Sequence, residues 1–128
     1  MVSQQQRTRS RQHERTSVSF PLSYSIDPER PARAGRAIDL SGGGIRISGP
    51  ASLLEGTPIL LRFSLPQTGV EVVARGRVVM SFFDGSRQEY VHGIAFTHIG
   101  KSEQESIIEY VRQSHAMSVP PGTSAQRK

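Results

Sequence analysis

The amino-acid sequence predicts an all-β fold: a six-stranded antiparallel β-barrel followed by one C-terminal α-helix, with flexible tails at both ends. Short segments in which apolar and polar residues alternate recur between Val18 and Thr97, and turns rich in Gly, Pro and Asp separate them. One segment with helical spacing of its apolar residues follows. Because short strands joined by tight turns pair in antiparallel fashion, these segments predict a small closed barrel with the helix packed on it.

Length and composition fit one small domain. The chain has 128 residues, 35 % of them hydrophobic, and its aliphatic residues cluster between Val18 and Val111. We therefore expect a flexible tail over residues 1–8, a barrel domain with its helix over residues 9–116, and a disordered tail over residues 117–128.

Composition also excludes several kinds of site and location. The chain has no cysteine, which rules out a disulfide framework, a thiolate zinc site and a cysteine nucleophile. The N-terminal segment lacks the apolar stretch of a secretory signal, and no run approaches the roughly 20 apolar residues of a membrane span. These features predict a cytoplasmic protein without a transmembrane segment.

The first three strands surround a glycine-rich turn. The first strand follows from alternating Val18, Phe20, Leu22 and Tyr24, and Pro21 within it predicts an edge position or a bulge. A turn over residues 27–31 leads to a second strand over residues 33–40. Glycines over residues 42–44 end that strand, and a third short strand begins at Ile45.

The last three strands and the helix come from the same kind of pattern. Strands are predicted over residues 59–65, 70–82 and 90–97, and Gly76 indicates a bulge in the second of these. Ser102 and Glu105 form a capping box that predicts the start of the helix. Ile107, Ile108 and Val111 then line one helical face.

The turn between the second and third strands has the residues of a ligand site. Asp39 offers a carboxylate that can accept from the edge of a guanine, and Ser41 can donate to a phosphate oxygen. Three glycines can take positive φ, approach a ligand closely and form an anion-binding nest. The same residues also make a good hairpin turn, so taken alone the pattern leaves both interpretations open.

Arginines precede the first strand. Of the 16 basic residues 14 are arginine, and Arg11 and Arg15 lie four positions apart. A guanidinium pairs with phosphate, stacks on a base and contacts guanine O6 and N7. Taken alone, the pair is also consistent with a solvated basic tail.

The two motifs together resemble the PilZ domain family, which combines R-x-x-x-R with a later [D/N]-x-S-x-x-G. Leu54-Glu55-Gly56-Thr57-Pro58-Ile59 and Gly93-Ile94-Ala95-Phe96 are similar to further family segments, and the resemblance covers roughly residues 9–114. It implies a six-stranded split barrel that binds cyclic di-GMP, with no cofactor, and signals to a protein partner. The ligand residues it implies are Arg11, Arg15, Asp39, Ser41 and Gly44, with Arg9 and Gly43 as additional positions.

Other functions are weighed against this one. An enzyme is not expected, because His13, His92, His98 and His115 show neither metal-ligand spacing nor a triad, and His92 and His98 are expected to be ordinary residues at strand ends. A small basic nucleic-acid-binding barrel is an alternative, but stable nucleic-acid binding is not expected of a chain with no Trp and eight aromatic residues. A protein-interaction adaptor that does not bind cyclic di-GMP is the other alternative.

Overall fold

The computed structural model describes residues 13–26 and 31–118, with side chains described as far as His115. This part of the chain contains six strands and one helix. The strands are β1 (Arg15–Ser25), β2 (Arg33–Ser41), β3 (Gly44–Gly49), β4 (Pro58–Ser64), β5 (Glu71–Asp84) and β6 (Glu89–His98), and the helix is α1 (Lys101–Ser118). Each predicted strand is present, with bounds within three residues of the prediction.

The strands close into a barrel in the order β1-β2-β3-β6-β5-β4, and every neighbouring pair is antiparallel. The closing pair is short, since β1 and β4 are in register only from Ser23–Arg62 to Ser25–Leu60. The predicted fold class is therefore confirmed.

Side chains from all six strands and α1 fill the barrel. Successive residues of a strand point to opposite faces, so alternate positions are buried. Ile107 and Val111 of α1 are buried in the same cluster as Leu40, Ile47 and Leu61. Burial of each such side chain stabilises the fold by about 1.5–3 kcal/mol, so the helix is part of the domain core.

The strand register shifts at two places where the sequence predicted a bulge. The register of β1 on β2 shifts between Ser17 and Phe20, immediately before Pro21. The register of β5 on β6 shifts between Arg75 and Gly76. A Cβ at Gly76 would lie 2.7 Å from the carbonyl oxygen of Ala95, so glycine is required there because the two backbones approach closely.

The start of α1 differs from the prediction. The backbone N–H of Gln104 donates to the carbonyl of Gly100 at 2.9 Å, which makes Gly100 the N-cap and places Ser102 inside the first turn. The predicted capping box is therefore wrong by two residues. The Glu103 side chain instead folds back over Gly100, in space that a side chain on that residue would occupy.

The described part of the chain includes two residues of the predicted C-terminal tail. The helix continues to Ser118, so residues 117 and 118 are helical although they were assigned to the disordered tail. The predicted tail over residues 1–8, the turn residues 27–30 and residues 119–128 lie outside the described part. Among the described helical residues, no stretch has the length and apolar character that crossing a membrane requires.

His92 lies in the middle of β6 and is buried in the barrel, so its predicted place at a strand end is wrong. Its Nε2 accepts a hydrogen bond from the backbone N–H of Leu53 at 2.9 Å. Burial lowers the pKa of His92, because the charged imidazolium is poorly solvated there.

Acidification is expected to destabilise the domain through His92. Below about pH 6.5 the unfolded chain protonates this histidine whereas the folded chain does not, so stability present at higher pH is lost as the pH falls toward the lowered folded pKa. Urea unfolding across this range should show a smaller pH dependence for His92→Gln, whose side-chain oxygen can still accept from Leu53. Identical slopes for wild type and His92→Gln would contradict the assignment.

Candidate functional site

Asp39, Ser41 and the glycines lie at the β2–β3 hairpin. The Ser41 hydroxyl accepts a hydrogen bond from the Gly43 N–H at 3.2 Å and donates to the Gly44 carbonyl at 3.4 Å. This local pattern is the side-chain-stabilised turn that the sequence also allowed. The hairpin turn and a ligand-facing position are therefore compatible at Ser41.

The glycines are required for a reason other than the one predicted. None of Gly42, Gly43 and Gly44 takes positive φ. The expectation that positive φ at these glycines builds an anion-binding nest is therefore wrong. They are required because neighbouring groups are close: a Cβ at Gly42 would lie 2.6 Å from Ile108 Cγ1, and one at Gly44 would collide with the carbonyl oxygen of Ile94. The hairpin is thus packed directly against α1 and β6.

The motif residues line one groove on the outer face of the barrel. Because strand residues alternate, Leu40 and Ile45 point into the core while the side chains between and beside them point outward. The groove has a volume of about 450 Å³. Its lining residues from the β2–β3 hairpin and from the chain around the start of β1 are His13, Arg15, Asp39, Ser41, Gly43, Gly44, Ile45 and Arg46.

The opposite side of this groove is apolar. Val79 and Met80 of β5 line it, together with Gly93, Ile94 and Ala95 of β6. Val79 is 56 % exposed, and a Cβ at Gly93 would lie 3.2 Å from Met80 Cε. A flat ring of a bound ligand can therefore contact aliphatic groups on this side of the groove, while polar groups of the hairpin contact the ligand from the other side.

Two arginines, Arg15 and Arg46, and one aspartate, Asp39, line the groove. The Arg15 guanidinium lies 3.7 Å from the Asp39 carboxylate, with side-chain exposures of 61 % and 20 %. Arg46 is the register partner of Asp39 on β3. A long ion pair with an exposed arginine contributes only about 0–1 kcal/mol, so Arg15 can exchange Asp39 for an anionic ligand at little cost.

Helix α1 contacts both motif segments. The Gln104 side-chain amide donates to the Gly42 carbonyl at 2.8 Å. His115 Nε2 donates to the Arg15 carbonyl at 2.6 Å, and its Nδ1 lies 3.3 Å from a carboxylate oxygen of Glu14. The helix therefore joins the glycine turn to the segment that enters β1.

The structure brings together all the predicted site residues that it describes. Arg15, Asp39, Ser41, Gly43 and Gly44 surround one groove. The predicted Arg9 and Arg11 lie outside the described residues.

Sequence reasoning did not assign Arg46, Val79 and Met80 to the site. The outward alternation of the third strand was a signal for Arg46, but nothing in the sequence connected β5 with the hairpin. Within the described part of the chain, no three His, Asp or Glu side chains are grouped so that they could hold a metal ion.

Solved structures share this fold. They include the Bacillus subtilis inhibitor of motility (MotI/DgrA; TM-score 0.74, 17 % identity, 91 % of this chain and 53 % of that chain). Escherichia coli YcgR in complex with c-di-GMP (TM-score 0.71, 13 % identity, 90 % and 50 %) is similar. So is Borreliella burgdorferi PlzA in complex with c-di-GMP (TM-score 0.61, 17 % identity, 86 % and 44 %).

This chain spans about half the length of these three structures, and at such identities the likeness establishes the fold alone. No curated protein matches the chain. The family model of the PilZ domain matches residues 9–113. That match covers the whole barrel and most of its helix, and the chain therefore belongs to the PilZ domain family.

Proposed function

We propose that this PilZ domain is a receptor for cyclic di-GMP and not an enzyme. The observation that carries the proposal is the convergence of Arg15, Asp39, Ser41 and the turn glycines on one open groove. The similar structures of YcgR and PlzA were solved in complex with c-di-GMP, which supports this choice of ligand.

The chemistry of the groove fits the ligand. Cyclic di-GMP presents guanine rings, with donors on one edge and acceptors on another, and negatively charged phosphates. Asp39 can accept from the guanine donors, whereas Arg15 and Arg46 can pair with phosphate or with guanine O6 and N7. Val79 and Met80 offer aliphatic contact to a ring face, so each chemical part of the ligand has a partner.

We further propose that the N-terminal arginine arm, with Arg11 and Arg9, closes over the bound ligand. Ordering this arm costs conformational entropy, which charge-assisted hydrogen bonds to phosphate and guanine offset. His115 bonds to the base of the arm at Glu14 and Arg15. A change in the arm therefore reaches α1, where a protein partner can detect it.

Calorimetric titration tests the receptor function. Cyclic di-GMP is expected to bind saturably, with a dissociation constant on the order of micromolar or tighter, while GTP and GMP produce no comparable heat. Selectivity follows because only the cyclic dinucleotide fills the groove and pairs with both motifs. No heat and no thermal shift at high ligand concentration would contradict the proposal.

Limited trypsin digestion of the same samples tests the arm. Cleavage after Arg7, Arg9 and Arg11 should slow when cyclic di-GMP is bound and stay fast with GMP, because an ordered arm does not fit a protease active site. Equal cleavage with and without bound ligand would reject the closure of the arm while leaving the binding result intact.

A further inference from the structure

A second groove lies on the outer face of β4, β5 and β6. It has a volume of about 280 Å³ and shares no lining residue with the groove proposed for cyclic di-GMP. We call it the basic groove, defined by its aliphatic residues Ile26, Pro58 and Leu60 and its basic residues Arg75, Arg77 and His98.

Cationic and aliphatic side chains alternate across the basic groove. Arg75 is the register partner of Leu60 on one side and of His98 on the other, and Arg77 is the partner of Pro58. Partners on adjacent strands have their Cβ atoms about 5 Å apart. A bound chain can therefore place an aliphatic group between positive charges.

The charges of Arg75 and Arg77 are not neutralised within the described part of the chain. Both residues are exposed, and no described carboxylate lies within 4.0 Å of either guanidinium. By contrast, Arg62 on the same outer face lies 4.0 Å from Glu71. Arg77 donates to the Gly56 carbonyl at 2.8 Å, which fixes the position of its guanidinium at the groove.

We propose that the basic groove binds an acidic segment of a partner protein, with an aliphatic residue beside its carboxylates. Charge complementarity calls for an anionic segment, and an Arg fork suits a carboxylate. The aliphatic residues fit Leu, Ile or Val, whereas no Phe, Tyr or Trp ring lines the groove to stack a nucleic-acid base. Because β4, β5 and β6 each have two neighbours in the closed barrel, side chains and not an added strand make the contact.

Selection of random linear peptides displayed on phage tests the proposal. Peptides enriched on the full chain should combine Asp or Glu with a neighbouring aliphatic residue. The most enriched peptide, synthesised with a fluorescent label, should bind saturably in an anisotropy titration. Its affinity should fall by roughly tenfold or more for Arg75→Glu/Arg77→Glu, since the charge reversal makes an attractive surface repulsive.

Two variants control this result. Arg87→Glu/Arg112→Glu carries the same change of net charge on other surfaces and should bind the peptide within about twofold of wild type. Arg75→Glu alone keeps the Arg77–Gly56 hydrogen bond and should still weaken binding, which covers the case in which the double variant folds poorly.

Several outcomes would overturn the proposal. Enriched peptides without acidic residues, or equal binding to Arg75→Glu and wild type, would show that the groove does not select an acidic segment. Single-stranded DNA that binds more tightly than the peptide, and depends on Arg75, would make this face a nucleic-acid site.

Discussion

The Arg15→Ala variant is expected to bind cyclic di-GMP on the order of 10- to 100-fold more weakly than wild type, because a hydrogen-bonded charge contributes about 1.5–3 kcal/mol. Arg15 lies at the groove 3.7 Å from Asp39 and is exposed enough to turn toward a ligand. Arg15→Lys keeps the charge but not the planar fork, so its affinity should lie between the two. Calorimetric titration of the three proteins measures the differences.

Arg36→Ala is the matched control for this experiment. Arg36 is also an exposed arginine, and it does not line the groove. Its side chain donates a hydrogen bond to Ser19. Its loss should leave ligand affinity unchanged. The melting temperature of Arg15→Ala should remain close to wild type because Arg15 is exposed and its ion pair with Asp39 is long. If Arg15→Ala bound cyclic di-GMP with wild-type affinity, Arg15 would not be a ligand-binding residue.

Gly44→Ala is expected to produce the largest loss of stability among these variants. A Cβ at this position would collide with the Ile94 carbonyl oxygen on the adjacent strand, and β3 and β6 would have to separate there. Overpacking against backbone costs about 1–3 kcal/mol or more, which corresponds to a fall in melting temperature on the order of 10 °C. Urea or thermal unfolding without ligand measures the change.

Gly43→Ala provides the contrast within the same motif. A Cβ there would lie 3.1 Å from Cδ2 of the His13 ring, a side chain that can move aside. Its unfolding free energy should stay within about 0.5 kcal/mol of wild type. If Gly44→Ala were as stable as Gly43→Ala, the last motif glycine would be required for ligand binding and not for the stability of the barrel.

The strands were predictable because each depends on local alternation. Phe20, Leu22 and Tyr24 point inward since a strand places alternate residues on one face, whatever the rest of the chain does. The bulge at Gly76 was predictable for a similar reason, because a glycine inside a strand indicates close approach of another backbone. The start of α1 was missed because a serine with a glutamate three residues later also occurs inside a helix, and only the hydrogen bond to Gly100 places the cap.

The sequence by itself determined the barrel, its terminal helix and the hairpin residues Asp39, Ser41 and Gly44, because these depend on residue type and spacing along short segments. The tertiary structure alone decided that Val79 and Met80 face the hairpin and that His92 is buried. It also decided that His115 of α1 contacts Glu14 and Arg15 where β1 begins. These relations join residues far apart in the chain. They follow from the order and register of the strands. Packing of the whole domain decides that order and register, and no local sequence pattern encodes it.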